Sequence, residues 1–257
     1  MARQPGRHEY GQNFLTDPSV AAAMATAVAR YPARPILELG AGDGALTEVL
    51  LDLGRPVTAV ELDPRRVQHL RRRFGSRVVV RHGDLLRERF DRPVDVVSNV
   101  PYALTTPLLR RLLHTPRWAH ALLLLQWEVA RKRAAVGGTT ALTARWWPWF
   151  EFRLLGRVPA RAFRPVPSVD GGILEIARRG RPLLDGPVEG YQRMVDLVFT
   201  GRGRGALDVV ARRYGRATAR AWAAGARIEG RPLPRDLGPH DWADLYALVR
   251  DRRPGSR

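Results

Sequence analysis

From about Asp17 to Val136, short apolar runs of four to six residues alternate with longer segments of helical period. That alternation is how a βα-repeating, mostly parallel sheet reads. The pattern predicts strands near Pro35–Leu39, Pro56–Glu61, Arg77–Val80, Asp95–Ser98 and Ala121–Gln126, with helices between them at Ala45–Leu53, Pro64–Arg73, Thr106–His114 and Glu128–Val136. After Trp146-Trp147-Pro148-Trp149 come two runs, Glu151–Val158 and Gly171–Ala177, separated by a Pro-rich loop, as expected of an antiparallel pair closing the sheet edge. A composition shift at Arg178-Arg179-Gly180-Arg181-Pro182 then marks a boundary, with an α/β domain over residues 1–180 and a second domain over 181–257. In the second, Tyr191–Phe199, Leu207–Tyr214, Ala217–Ala224 and Asp241–Val249 have helical spacing between Gly and Pro breaks, so a small all-helical module is expected. Residues 251–257 read as a frayed basic end.

The 257 residues carry 43 Lys+Arg against 25 Asp+Glu, a net charge of +18. Lys132 is the only lysine, and arginine offers a flat fork of donors suited to phosphates and stacked bases, so nucleic acid is the expected partner. A solvated basic surface in an Arg-, Ala- and Gly-rich chain is the bland reading of the same charge. The absence of cysteine excludes disulfides, Cys-zinc sites, iron–sulfur clusters and thiol catalysis. His8, His69, His82, His114, His120 and His240 are scattered without metal-ligand spacing, so no metal is expected. The start, through Leu15, lacks a signal peptide's apolar core, and the longest aliphatic run, Ala121–Leu125, falls far short of the roughly 20 residues that span a bilayer. A cytoplasmic protein, away from membranes, is expected.

Candidate chemistry gathers at predicted strand ends. Ile36-Leu37-Glu38-Leu39-Gly40-Ala41-Gly42-Asp43-Gly44 is a buried strand running into a Gly-rich turn and then a helix, where backbone can approach a ligand closely. Its spacing is not GxGxxG, which weakens a nicotinamide or flavin reading. Glu61 closes the next strand, about 20 residues on, where a carboxylate can accept both ribose hydroxyls of a nucleoside. Asp84, in Gly83-Asp84-Leu85, follows the third strand and could accept from an adenine amine. Together they describe a pocket for a nucleoside with no required phosphate, which favours S-adenosylmethionine over NAD or ATP.

Ser98-Asn99-Val100-Pro101-Tyr102 ends the fourth strand. It suits methyl transfer to an aromatic exocyclic amine: the Asn99 side-chain oxygen and the Val100 carbonyl can accept the two N–H bonds while the Tyr102 ring stacks on the base. With the methyl already on a cationic sulfur, positioning suffices without a general base. An Asn-x-Pro-Tyr turn that merely closes a strand is the competing reading.

Gly11-Gln12-Asn13-Phe14-Leu15, Glu38–Gly44, Glu61, Asp84, Asn99–Tyr102, Gln126-Trp127-Glu128-Val129-Ala130 and Phe163–Asp170 occur in that order. Their order and spacing resemble the ribosomal RNA adenine N6-methyltransferases, the superfamily of the Erm macrolide-resistance enzymes and the housekeeping small-subunit dimethyladenosine transferases. The resemblance covers nearly the whole chain. It implies an amino-terminal class I, Rossmann-like methyltransferase domain and a carboxy-terminal helical RNA-binding domain. It further implies S-adenosylmethionine contacts at Asn13, Leu15, Gly40, Glu61, Asp84 and Asn99, with Gln12, Gly42, Leu62 and Leu85 grouped beside them. The catalytic turn is then Asn99, Val100, Pro101 and Tyr102, and Phe163 resembles the second aromatic that closes on the target adenine.

Residues 131–168 with the Trp cluster, and Phe199–Gly205, look like the Erm enzymes of antibiotic-producing actinomycetes, which implies 23S ribosomal RNA as partner and a monomer acting on a flipped adenosine of the peptidyl-transferase region. The housekeeping small-subunit enzyme and a non-catalytic RNA-binding protein on the same fold are the alternatives. Val100 departs from the Leu or Ile usual at its position, which a backbone role tolerates. Candidate RNA contacts are Arg131, Lys132, Arg133, Arg164, Arg202 and Arg204. Three indoles within four residues suit packing better than base platforms. The Gly-Arg alternation at 201–205 is either a flexible loop or a phosphate clamp.

Overall fold

The computed structural model describes residues 13–250, which fold as two compact units. The first takes residues 13–130 and 153–177, the second 131–152 and 178–250. The first begins with a two-residue strand, β1 (Phe14–Leu15), and helix α1 (Pro18–Ala29). Strands and helices then alternate as β2 (Ile36–Leu39), α2 (Ala45–Leu51), β3 (Val57–Glu61), α3 (Pro64–Phe74) and β4 (Val78–His82). They continue as β5 (Val94–Asn99), α4 (Thr105–His114), β6 (Trp118–Gln126) and α5 (Trp127–Arg133). After α6 (Ala141–Trp146) come β7 (Phe150–Val158), β8 (Phe163–Arg164) and β9 (Gly171–Arg178).

Among the described residues, seven strands pair in the order β4-β3-β2-β5-β6-β9-β7. The five from β4 to β6 run parallel, and β9 is antiparallel to β6. All four residues of β2 and the first five of β5 are buried, as strands covered on both faces must be. The chain winds outward from β2 through β3 and β4, then crosses back to β5 and β6 on the other side. Strand order therefore reverses between β2 and β5, and the carboxyl ends of these two strands open a crevice where open α/β sheets bind ligands.

The alternating pattern placed these strands and helices to within a few residues, while α1, α6, β1 and β8 escaped it. Helix α1 is half alanine with no charged position, so no strongly polar face contrasts with an apolar one. Its start is nevertheless well made, with Asp17 accepting from the Ser19 N–H at 2.9 Å and Pro18 in the first turn. The six-residue α6 is too short to show a period. The β1–β8 pair, with Phe14 opposite Arg164 and Leu15 opposite Phe163, joins residues far apart in sequence through two positions only.

The second unit adds α7 (Val188–Thr200), α8 (Ala206–Tyr214), α9 (Arg216–Gly225) and α10 (Pro239–Val249). It is drawn from two chain segments, where a division at residue 180 draws on one. The reason is local: the Tyr191 hydroxyl of α7 donates to the Ala144 carbonyl of α6 at 2.8 Å, and Arg145 pairs with Asp196. Trp146 and Trp147 are buried, and Trp149 meets Trp146 and Tyr191 edge-on at 6.0 and 5.6 Å, so the tryptophan cluster is interior packing.

Candidate active site

The Gly-rich turn opens the crevice. Gly40, Gly42 and Gly44 all have positive φ, at 73°, 57° and 89°. A side chain at Gly44 would lie 2.7 Å from the Phe74 ring, and one at Gly42 would press on Phe14 at 3.2 Å, so close packing as well as backbone conformation requires glycine. The turn, the ends of β2, β3 and β5, and residues 13–16 surround a cavity of about 340 Å³.

Glu61 reaches the cavity from the end of β3, nearly wholly buried. Its carboxylate is fixed on both oxygens, the Gly42 N–H donating to Oε2 at 2.8 Å and the Asp63 N–H to Oε1 at 2.9 Å. Each oxygen keeps a lone pair for a ligand hydroxyl. Asp84 is held similarly, its Oδ1 accepting from the Leu86 N–H at 2.8 Å. Asn13, Leu15, Gly40, Gly42, Leu62 and Leu85 also line the cavity, and Leu62 stays 44% exposed at its edge. The structure thus brings together every cofactor candidate except Gln12, which lies outside the described residues.

Asn99 ends β5 with its side chain on the cavity. Its amide nitrogen donates to the Asn13 carbonyl at 2.9 Å, which orients the amide group. The Ser98 hydroxyl donates to the Leu39 carbonyl at 2.6 Å and the Val100 N–H to the Leu124 carbonyl at 3.0 Å, so this strand end is tied to both neighbours. Pro101 lines the cavity, whereas Val100 is buried and Tyr102 stands half-buried outside its wall. Burial, with the Asp170 carboxylate adding to it, raises the Tyr102 hydroxyl above the ordinary phenol range.

Phe163 departs from the expectation of a ring closing on a base: it is 1% exposed and belongs to the core. Directly opposed residues of paired strands share a face, so Phe163 goes inward with Leu15 while Arg164 and Phe14 take the other face. Arg164 itself is exposed and folds back on the carbonyls of Arg161 and Phe163. In the second unit, Arg131 donates to the Val136 carbonyl at 2.8 Å and Arg133 to the Thr140 hydroxyl at 2.6 Å, binding the turn after α5. Lys132, Arg202 and Arg204 are exposed.

Two contributors were not singled out by pattern. Phe14 forms part of the cavity wall, and its signal was its place inside the Gly11–Leu15 motif. Glu38 lies in the middle of the most buried strand yet lines the cavity, 1% exposed, its Oε2 accepting from the Thr47 hydroxyl at 2.5 Å. Burial pushes its carboxyl up to about 8, against the Thr47 hydrogen bond and with Glu61 adding to the rise. Among the described residues no group of three or more His, Cys, Asp or Glu could hold a metal, and no helix is long and apolar enough to cross a membrane.

Reversed strand order, a nucleoside-sized crevice with a Gly-rich floor, and an Asn-led turn beside it define a class I methyltransferase. The sequence profile of ribosomal RNA adenine dimethylases matches residues 3–249, and the chain belongs to that family. The mycinamicin-resistance protein MyrB of Micromonospora griseorubida is 54% identical over 248 residues, covering 96% of this chain and 80% of that protein. An rRNA adenine N-6-methyltransferase of Corynebacterium diphtheriae is 48% identical over 212 residues, covering 80% and 83%. The crystal structure of the 23S rRNA methyltransferase ErmE superposes with a TM-score of 0.85 at 34% identity, covering 93% of this chain and 100% of that one.

Proposed function

We propose that this methyltransferase transfers the methyl group of S-adenosylmethionine to N6 of an adenosine flipped out of the peptidyl-transferase region of 23S ribosomal RNA, and so confers macrolide-type resistance. The observation that carries the reading is Asn99, which lines the cavity at the end of β5 with its amide oriented by donation to the Asn13 carbonyl. The residues fit the cofactor. The cavity lies in the size range of small-ligand sites, Glu61 offers paired acceptors for ribose hydroxyls, and Asp84 lies with Leu62 and Leu85 as an adenine end. Glu38 supplies buried acid chemistry for a cationic ligand.

When bound, the cofactor supplies an electrophilic methyl on a cationic sulfur. The chain's own work is positioning. The Asn99 oxygen and the Val100 carbonyl accept the two N6–H bonds, directing the nitrogen lone pair at the cavity, and Tyr102 stacks on the base. Phe163 lies in the core, paired across the β1–β8 ladder with Leu15 of the cavity lining. The adenosine must leave its stack, because a paired and stacked amine cannot reach an enclosed methyl in line.

The proteins similar to this chain support the large-subunit target and the resistance role. We further propose that the second unit binds RNA through Lys132, Arg202 and Arg204, aided by Arg164 of the first, that Arg131 and Arg133 act by holding their turn, and that the enzyme works as a cytoplasmic monomer. Expression in a macrolide-sensitive bacterium tests the reading. Resistance should rise with the intact chain and vanish with Asn99→Ala at equal soluble level; resistance that survives this substitution refutes the assigned mechanism.

A further inference from the structure

We infer that Arg66 is a positioning residue for the cofactor, latching the cavity wall formed by Asn13–Thr16 onto the Gly-rich turn. This rests on the cofactor reading above and adds to it a residue that lies outside the cavity.

The wall is a short segment, tied at its far end by the Thr16 N–H and hydroxyl, which both donate to the Ala162 carbonyl at 2.8 and 3.2 Å. Its strand β1 pairs with β8 at two positions only, and so short a ladder is weak. Leu15 is anchored by burial, but Phe14 lies on the other face of the strand. The Arg66 guanidinium lies 4.0 Å from the Phe14 ring centroid, within cation–π range. The same side chain donates from Nε to Asp43 Oδ1 at 3.1 Å, and Asp43 belongs to the Gly-rich turn. One side chain therefore joins two parts of the cavity lining, Phe14 and Asp43.

Arg66 is itself well placed to act as a fixed post. It sits in the first turn of α3, whose start is set by Pro64 and by Asp63 accepting from the Arg65 N–H at 2.8 Å. The Asp63 N–H in turn donates to Glu61 Oε1 at 2.9 Å. The helix start that steadies the proposed ribose acceptor thus also carries the latch. Asn13, next to Phe14, holds the Asn99 amide, so a loosened wall would first weaken cofactor binding and then disturb the acceptor end.

The test is calorimetric titration of S-adenosylmethionine and S-adenosylhomocysteine into wild type, Arg66→Ala, Arg66→Lys, Phe14→Ala and the Arg66→Ala/Phe14→Ala double variant, with thermal melts to confirm folding. Arg66→Ala should weaken both ligands by about tenfold, because the ring and the carboxylate both give up their partner. Arg66→Lys should recover part of this, since it keeps the charge but not the flat face. The double variant should be less impaired than the product of the singles, because Arg66 acts through Phe14. With RNA saturating, KM for the cofactor should rise while kcat stays within about twofold. Unchanged cofactor affinity in a folded Arg66→Ala overturns the latch, as does a loss confined to RNA affinity. Wild-type titration reports the cofactor reading separately: binding there with no difference among variants sinks the latch alone, and no binding there sinks both.

Discussion

Cofactor affinity should depend on pH through Glu38. Its carboxyl is pushed up to about 8 by burial, and it lines the cavity proposed to take a cationic ligand. Below that pH the empty site holds the proton, and a cation entering the cavity favours the carboxylate, so binding should release protons as the site ionises. At pH 6.5, below the titration, that ionisation opposes binding, so affinity should be on the order of tenfold or more weaker than at pH 9. Glu38→Gln keeps the shape and the Thr47 partner but cannot titrate. The assay is calorimetry of S-adenosylmethionine from pH 6 to 9 in buffers of different ionisation enthalpy, with wild type divided by Glu38→Gln so that titration of the ligand itself cancels. About one extra proton released per ligand at pH 6.5 is expected for wild type. Parallel pH profiles for the two proteins would refute the placement of a cation beside Glu38. The same raised value fixes a stability sign: the folded state binds the extra proton, so wild-type stability should fall as pH rises from about 4.5 toward 8, and Glu38→Gln should flatten that slope.

Asn99→Ala should leave fold and most cofactor affinity intact while lowering turnover on the order of 100-fold, measured by methyl incorporation at saturating cofactor. Tyr102→Ala should be similarly severe and Tyr102→Phe mild, because stacking needs the ring rather than the hydroxyl. Log RNA affinity should fall steeply with log salt, and replacing Arg202 and Arg204 should flatten the slope by roughly 0.7–0.9 for each phosphate no longer neutralised; an unchanged slope assigns them to a solvated loop. Gly44→Ala, at φ 89° with 2.7 Å to the Phe74 ring, should cost at least about 1–3 kcal/mol in denaturant unfolding.

The strand ends were legible because Glu61 and Asn99 close mostly buried runs of the kind a parallel strand covered on both faces gives. Glu61, Asp84 and Asn99 are far apart in sequence, and the order reversal between β2 and β5 brings them to one cavity. Pairings that lack a period were not legible. Phe163 reads as a motif aromatic, yet its direction is decided by a register of two residues across β1 and β8. The second unit escaped a linear boundary because α6, earlier in the chain, supplies the Ala144 carbonyl that the buried Tyr191 hydroxyl needs. Glu38 was hidden by its own motif: a charged residue inside an apolar strand looks like a spacing element until the cavity behind it is seen. Arg131 and Arg133, read as an RNA track, also donate within the turn after α5, which charge pattern alone does not show.

The most direct test incubates the purified chain with methyl-labelled S-adenosylmethionine and, separately, naked large- and small-subunit ribosomal RNA, then maps the modified nucleotide by primer extension. Label on N6 of one adenosine in the peptidyl-transferase region of the large-subunit RNA, with little on small-subunit RNA, is the expected result. Label on small-subunit RNA instead, or on neither in the presence of bound cofactor, would contradict the proposed target.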